Sequence, residues 1–215
     1  MRTSIQVSMF QTGFPEALAA VLRKKIPENA RFAFVASEFE LLHEKTDKYF
    51  RRFLDMFTAC GIEFVESRVV DGRMTPEEAK CTVENADVVW LSGGDTPTEF
   101  MYLEKYGLLE ALREHDGVFI GMSAGAINMA RTAVCTLTCG HEALRVYKAL
   151  GISPYTVEPH LDAEHISEEL LQLSRQHELY GICDEAAIIV DETGTRYIGN
   201  VVWISGGKCE RLSTQ

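Results

Sequence analysis

The sequence is short of positive charge: 21 Lys+Arg stand against 32 Asp+Glu, a formal net charge of −11. Nucleic acids and anionic membranes select basic patches, so neither is an expected partner. Long hydrophobic runs are also missing. The stretch from Gly117 to Ala130 carries no charge, but it holds Ser123, Asn128 and three glycines and falls short of the roughly 18 apolar residues that a membrane span needs. Met1-Arg2-Thr3-Ser4-Ile5-Gln6 lacks the apolar core of a secretory signal, so the expected location is cytoplasmic. None of the six cysteines (Cys60, Cys81, Cys135, Cys139, Cys183, Cys209) forms a CxxC pair, which reads as scattered reduced thiols and excludes a disulfide framework. The nucleotide signatures GxGxxG and GxxxxGK[ST] do not occur. Nor do internal repeats, low-complexity tracts or linkers, so residues 1–215 are expected to form one domain.

What is present is ordinary globular material. A chain of 215 residues can bury roughly 70% of its unfolded surface without disulfide or metal staples. With 46% hydrophobic and 25% charged residues, it resembles an average soluble protein and excludes disorder, collagen and coiled coil.

Apolar runs alternate with amphipathic segments through the first 130 residues, the order of an α/β domain with a mostly parallel sheet. Arg31 to Ala36 reads as a strand. Leu41 to Cys60 reads as a helix with Phe50, Phe53, Leu54 and Phe57 on one face. A strand is expected at Ile62 to Val65, or onward to Val70. Thr75-Pro76-Glu77-Glu78 opens a helix with an N-cap, a first-turn proline and two acids. Asp87 to Leu91 is a buried strand running into Ser92-Gly93-Gly94-Asp95, Thr96 to Tyr106 and Leu108 to Glu114 are helical, and Val118 to Ile120 is a strand ending at Gly121. The second half reads as a helix from about Glu164 to Gln176, then short strands at Tyr180 to Cys183, Ala186 to Asp191, Arg196 to Ile198 and Val201 to Ile204. These suggest an antiparallel meander added to the sheet. Thr132 to Thr156 shows no clear period.

Gly121-Met122-Ser123-Ala124-Gly125 is a G-x-S-x-G pentapeptide, whose physical sense is a sharp strand-to-helix turn with small neighbours that leave a serine hydroxyl exposed. An apolar strand before it and a small-residue helix from Ala124 to Ala130 after it supply the required context. A tight turn with a capping serine would look the same. Leu91-Ser92-Gly93-Gly94-Asp95-Thr96 is a second strand-to-helix loop. Its glycines let backbone N–H groups converge, and at the end of a neighbouring strand it could stabilise an oxyanion formed at Ser123, with the N–H of Ala124 as a second donor. A phosphate cradle or merely a tight loop would also fit.

A serine needs a base. His43, His115 and His177 lie in charged helical stretches where a solvated side chain is the default, and His141 and His165 are undecided. His160, after Pro159 in an expected loop, can reach a crevice. Asp184 and Glu185 follow Cys183 between two apolar runs, at a strand edge near the end of the sheet. Spacing alone does not bring these groups together.

On these residues the chain resembles the peptidase E and cyanophycinase family of serine peptidases, which share a fold with class I glutamine amidotransferases. The resemblance runs from about Asp87 to Val190. It rests on Leu91 to Thr96, Ile120 to Ala126, Glu158-Pro159-His160 and Gly181 to Ile188, in that order. It implies a three-layer, mostly parallel sheet with helices on both faces and antiparallel additions in the C-terminal third. It implies Ser123 as nucleophile, His160 as general base, Gly94 and Ala124 as oxyanion donors, and Gly93, Asp95 and Met122 as substrate neighbours. Asp184 stands where better-known relatives carry the triad glutamate. Glu185 is held in reserve, because adjacent residues of an extended strand point opposite ways.

Two departures bear on specificity. The aspartyl-dipeptidase branch carries an arginine shortly after the histidine, whereas Leu161 to Glu169 contains no Arg or Lys and four carboxylates. Val134 to Thr138 offers no acid to hold a substrate ammonium. Strict Asp-X specificity is therefore not expected, and an acidic rim would favour neutral or cationic substrates. Cys135, Cys139 and His141 lack the spacing and the fourth ligand of a zinc site, and His160 to His165 is one residue too long for H-x-x-E-H. Trp90 and the phenylalanine face fit core packing. The expectation is a serine-type exopeptidase or dipeptidase acting on a small peptide, with no metal or organic cofactor, as a monomer or homodimer. The alternative is an inactive small-ligand-binding or regulatory protein on the same fold.

Overall fold

The computed structural model describes residues 2–212. Its frame is a seven-stranded sheet built from β1 (Thr3–Val7), β2 (Arg31–Val35), β3 (Glu66–Val70), β4 (Val88–Leu91), β5 (Val118–Met122), β10 (Ala187–Asp191) and β11 (Gly194–Ile198), in the order β11-β10-β1-β5-β4-β2-β3. The five strands from β1 to β3 in that order run parallel; β10 joins β1 antiparallel and β11 follows it.

Strand periodicity decides the layers. Phe32 and Phe34, Val88 and Trp90, and Val118, Ile120 and Met122 point to one face. There they meet α1 (Glu16–Lys25) and α2 (His43–Ala59) through Leu18, Leu22, Phe53 and Phe57. Ala33 and Val35, Val89 and Leu91, and Phe119 point to the other face. They pack on α3 (Pro76–Glu84), α4 (Thr96–Lys105) and α5 (Leu108–Glu114). This alternation is the period of two that strands impose. α3 starts where its sequence says, with Thr75 and Glu78 exchanging the reciprocal bonds of a capping box ahead of Pro76.

Several expectations need correction. The strand expected from Ile62 begins at Glu66, because Ile62 N–H is bonded to Phe57 O in the turn that closes α2. The helix expected over Glu164 to Gln176 is only α7, Glu168–Leu173, capped by Ser167; Asp162 accepts the Glu164 N–H and binds His165 in a turn before it. The antiparallel meander is divided between two sheets. β10 and β11 extend the main sheet, while β9 (Leu179–Ile182), β12 (Val201–Ser205) and β13 (Lys208–Leu212) form a second sheet with β8 (Val157–Pro159), in the order β13-β12-β9-β8. The aperiodic stretch after Thr132 contains the antiparallel pair β6 (Thr132–Cys135) and β7 (Arg145–Lys148).

β1 and α1 escaped the sequence reading. β1 is buried throughout although Thr3, Ser4 and Gln6 are polar. Its polarity is satisfied internally: Gln6 donates to Ala126 O at 2.8 Å and accepts from Ser153 Oγ at 2.6 Å. Among the described residues no helix is long and apolar enough to cross a membrane.

Candidate active site

The carboxyl ends of β1, β5 and β4 lie side by side, with Val7 opposite Met122 and Leu91 opposite Gly121. In a parallel sheet this is where a crevice opens. The G-x-S-x-G turn connects β5 to α6 (Ala124–Met129). Ser123 sits at its apex with φ 51° and ψ −108°. Its flanking glycines are required by contact: a Cβ on Gly125 would stand 2.3 Å from Leu91 O, and one on Gly121 would stand 2.7 Å from Gly125 O. Such approaches pull α6 onto the sheet and leave the hydroxyl standing in the crevice.

His160 Nε2 lies 3.0 Å from Ser123 Oγ, and His160 Nδ1 lies 2.8 Å from Asp184 Oδ1. The carboxylate fixes the proton on Nδ1, so Nε2 accepts from the serine hydroxyl. Ser123, His160 and Asp184 thus meet as one chain of hydrogen bonds from three distant segments. His160 follows strand β8 directly, at the head of the loop that leads to α7. Asp184 and Glu185 occupy the tight turn between β9 and β10, not a strand edge. Glu185 has φ 64° and points away, accepting the Gln11 N–H at 2.7 Å. Four non-glycine residues among those described have positive φ, and Ser123, His160 and Glu185 are three of them. Backbone strain of this kind clusters where a side chain must be aimed.

The residues that hold this arrangement together come from the exit of β1. Val7 O accepts the Ser123 N–H at 3.0 Å, and Met9 O accepts the Glu185 N–H at 2.9 Å. Between them Ser8, fully buried, accepts the His160 N–H at 2.8 Å and donates to Asp184 Oδ1 at 2.6 Å. The sequence reading missed Ser8, and a lone serine after an unrecognised strand gives no signal. The glycine loop is similarly tied: Ser92 O accepts the Gly125 N–H at 3.1 Å, and Gly93 O accepts from Ser37 Oγ at 2.8 Å. The N–H groups of Gly94 and Ala124 have no hydrogen-bond partner among the described residues.

Two cavities meet at Ser123, and Gly94 and Asp95 line both. One, of about 380 Å³, includes His141, Glu142 and Arg145. Glu142 and Arg145 add an acid and a cation to this lining from the stretch without period, alongside a Leu161–Glu169 segment without a cation and a Val134–Thr138 segment without an acid. The other, of about 450 Å³, takes in Gly93 and Met122 and is mainly apolar. The four carboxylates after Leu161 are partly committed elsewhere: Glu164 pairs with Arg211, Asp162 with His165, and Glu169 accepts from Leu137 N, Thr138 N and the Thr138 hydroxyl. Two other histidines also depart from a solvated default, since His43 contacts the buried Asp71 at 3.2 Å and His115 packs edge-on against Phe119.

Burial sets the charge of the surrounding groups. It pushes the Glu158 carboxyl, two residues before His160, up to about 8, although Thr136 donates to it. It pushes Cys139 up to about 12 and Cys135 up to about 11, so neither thiol is poised as a nucleophile. Both ring nitrogens of His141 are engaged, by Thr136 O and Thr96 Oγ1. Among the described residues no group of three or more His, Cys, Asp or Glu side chains is placed to hold a metal.

A serine, a histidine and an aspartate aligned at the strand ends of a mostly parallel α/β sheet define the architecture of a serine hydrolase. The pattern of peptidase family S51 matches residues 11–198, and the chain belongs to this family of serine-type peptidases. The fold is similar to that of a peptidase from an acI-B1 actinobacterium, with a TM-score of 0.74 and 17% identity over 100% of this chain and 95% of the other. It is also similar to a candidate peptidase E from Listeria monocytogenes EGD-e, with a TM-score of 0.65 and 16% identity over 99% and 100% of the two chains. No curated protein sequence matches the chain.

Proposed function

We propose that the protein hydrolyses short peptides through an acyl-enzyme on Ser123. The observation that carries this reading is the continuous Ser123–His160–Asp184 chain, with its contacts of 3.0 and 2.8 Å. His160 Nε2 takes the Ser123 proton as Oγ attacks the peptide carbonyl, and Asp184 stabilises the imidazolium through Nδ1–H. The unpaired N–H groups of Gly94 and Ala124 suit the tetrahedral oxyanion. Collapse of that intermediate breaks the C–N bond, and His160 returns the proton to the leaving amine. Water, deprotonated by the same imidazole, then releases the acid and restores the serine.

Cavities of about 380 and 450 Å³ on either side of the serine suit a few residues of peptide, which supports an exopeptidase or dipeptidase over an endopeptidase. Strict Asp-X selection has no support in Leu161 to Glu169, which lacks a cation. The test is labelling with a fluorophosphonate probe and peptide mapping, with Ser123→Ala as control. Stoichiometric label on Ser123 and loss of peptide hydrolysis in the variant are expected. An unlabelled, folded wild-type protein would remove the activated serine and leave a binding role.

A further inference from the structure

The larger cavity at Ser123 differs in chemistry from the smaller one. Met9, Phe34, Leu42, Tyr49 and Met122 are the large apolar and aromatic side chains of its wall. Three of its polar side chains, Ser37, Glu38 and Asp95, are bonded within the protein. Burial works to raise the Glu38 carboxyl, but hydrogen bonds from the N–H groups of Glu40, Leu41 and Leu42 and from the Tyr102 hydroxyl outweigh it and hold the group below its ordinary value. Asp95 caps α4, accepting from Thr98 N and Thr98 Oγ1 at 3.4 and 3.2 Å. The Ser37 hydroxyl is committed to Gly93 O. Lys45 makes no ion pair among the described residues, and from an exposed position its stem can lie along the wall while the ammonium stays in water. Leu42 stands at the N-cap of α2, 45% exposed, with no packing reason to be apolar there.

The seam between the cavities fixes what enters them. Gly94, Asp95 and Ser123 belong to both, so a carbonyl placed for attack lies on the seam and the side chains flanking it fall one to each side. We infer that the larger cavity receives a bulky, uncharged apolar or aromatic side chain of the residue adjoining the scissile bond. This inference rests on the reading of Ser123 as nucleophile and names the substrate class for it. A charged side chain entering the same space would leave water for a mainly apolar wall on which Ser37, Glu38 and Asp95 are already partnered and the Lys45 ammonium stays solvated at the edge. The preference should therefore oppose both acidic and basic residues on this side, whatever the smaller cavity admits beside His141, Glu142 and Arg145.

Two dipeptide series test it, X-Ala and Ala-X with X as Phe, Leu, Ala, Asp or Lys. The readouts are kcat/KM for the wild type and calorimetric binding to Ser123→Ala. In one series Phe and Leu should exceed Ala by about tenfold or more, since a single methylene in an apolar pocket is worth roughly 10–200-fold. Asp and Lys should fall below Ala there, and the series that shows this identifies the side of the bond. Leu42→Asp should lower the Phe-to-Ala ratio about tenfold, and Leu42→Met should keep it. Turnover at Ser123 with flat profiles, or with Asp or Lys preferred in both series, keeps the nucleophile and overturns the pocket. Tight binding of Phe peptides to Ser123→Ala without wild-type turnover keeps the pocket and overturns the nucleophile. Neither turnover nor binding overturns both.

Discussion

Replacing Glu99 by glutamine should change how the protein's stability responds to pH. Glu99 lies on α4, fully buried; its Oε2 accepts from Asn128 Nδ2 at 2.8 Å and its Oε1 has no partner. Burial pushes this carboxyl from 4.5 up to about 8. An acid whose pKa is raised by folding binds a proton that the unfolded chain has already released. Its contribution to stability is full below about pH 4.5 and is lost progressively as pH rises to about 8. At roughly 1.4 kcal/mol per pH unit, that window is worth about 5 kcal/mol. The amide of Glu99→Gln cannot ionise, but it brings an extra buried N–H without a partner, at a cost of about 1–3 kcal/mol. The variant should therefore be less stable than wild type by up to about 2 kcal/mol at pH 5 and more stable by about 1–3 kcal/mol at pH 8. Urea unfolding at pH 5, 6.5 and 8 with a constant m value reads this directly. Glu158, raised to about 8 by the same burial, supplies a second titration. Glu99→Gln should therefore remove part of the falling slope and the double variant with Glu158→Gln more of it, leaving the opposite, rising contribution of His115, whose imidazole burial holds below its ordinary value. A Glu99→Gln protein with the wild-type slope would show that Glu99 is ionised in the native state. The link to the site is short, because Asn128 also donates to Thr96 O and accepts from the Tyr147 hydroxyl, anchoring the helix that begins at Ala124.

The remaining expectations concern the crevice itself. Asp184→Asn should lower kcat on the order of 10³–10⁴-fold by favouring the wrong imidazole tautomer, whereas Glu185→Gln, whose carboxylate only accepts the Gln11 N–H, should leave kcat close to wild type; steady-state peptide hydrolysis distinguishes them. Ser8→Ala removes the acceptor of the His160 N–H and a donor to Asp184, and should cost on the order of 10²-fold in kcat with KM little changed. Ser8→Thr should recover part of that loss. Gly125→Ala forces a Cβ to 2.3 Å from Leu91 O and should destabilise the protein by about 1–3 kcal/mol or more in urea unfolding.

The parallel sheet was legible because β2, β4 and β5 are apolar on both faces and the helices between them carry a period and caps. Thr75-Pro76 with Glu78 and the phenylalanines of α2 say locally what the structure does with them. β1 was hidden for the opposite reason. Its buried Thr3, Ser4 and Gln6 look like surface, and only partners far along the chain, such as Ala126 and Ser153, make their burial tolerable. The short helix α7 and the late strand β3 show the same limit at element ends, where a turn's hydrogen bonds override an apolar or amphipathic run.

For the site, the residue types were in the sequence: a serine between glycines, a histidine after a proline, and a pair of acids after a strand. Which acid faces His160 was decided by a turn that puts Glu185 at φ 64° and leaves Asp184 2.8 Å from the ring. That Ser123, His160 and Asp184 meet at all depends on Val7, Ser8 and Met9, which bond to the Ser123, His160 and Glu185 amides. The side chains beyond the serine, Arg145 in one cavity and Leu42 in the other, sit in segments without a period or at a helix end. Local chemistry is written in neighbouring residues, so the sequence alone determined the apolar strands β2, β4 and β5, the capped and periodic helices between them, and the kind of chemistry. Convergence is made by hydrogen bonds across more than a hundred residues, which no local pattern encodes, so only the tertiary structure decided which groups act together and what shape of substrate they meet.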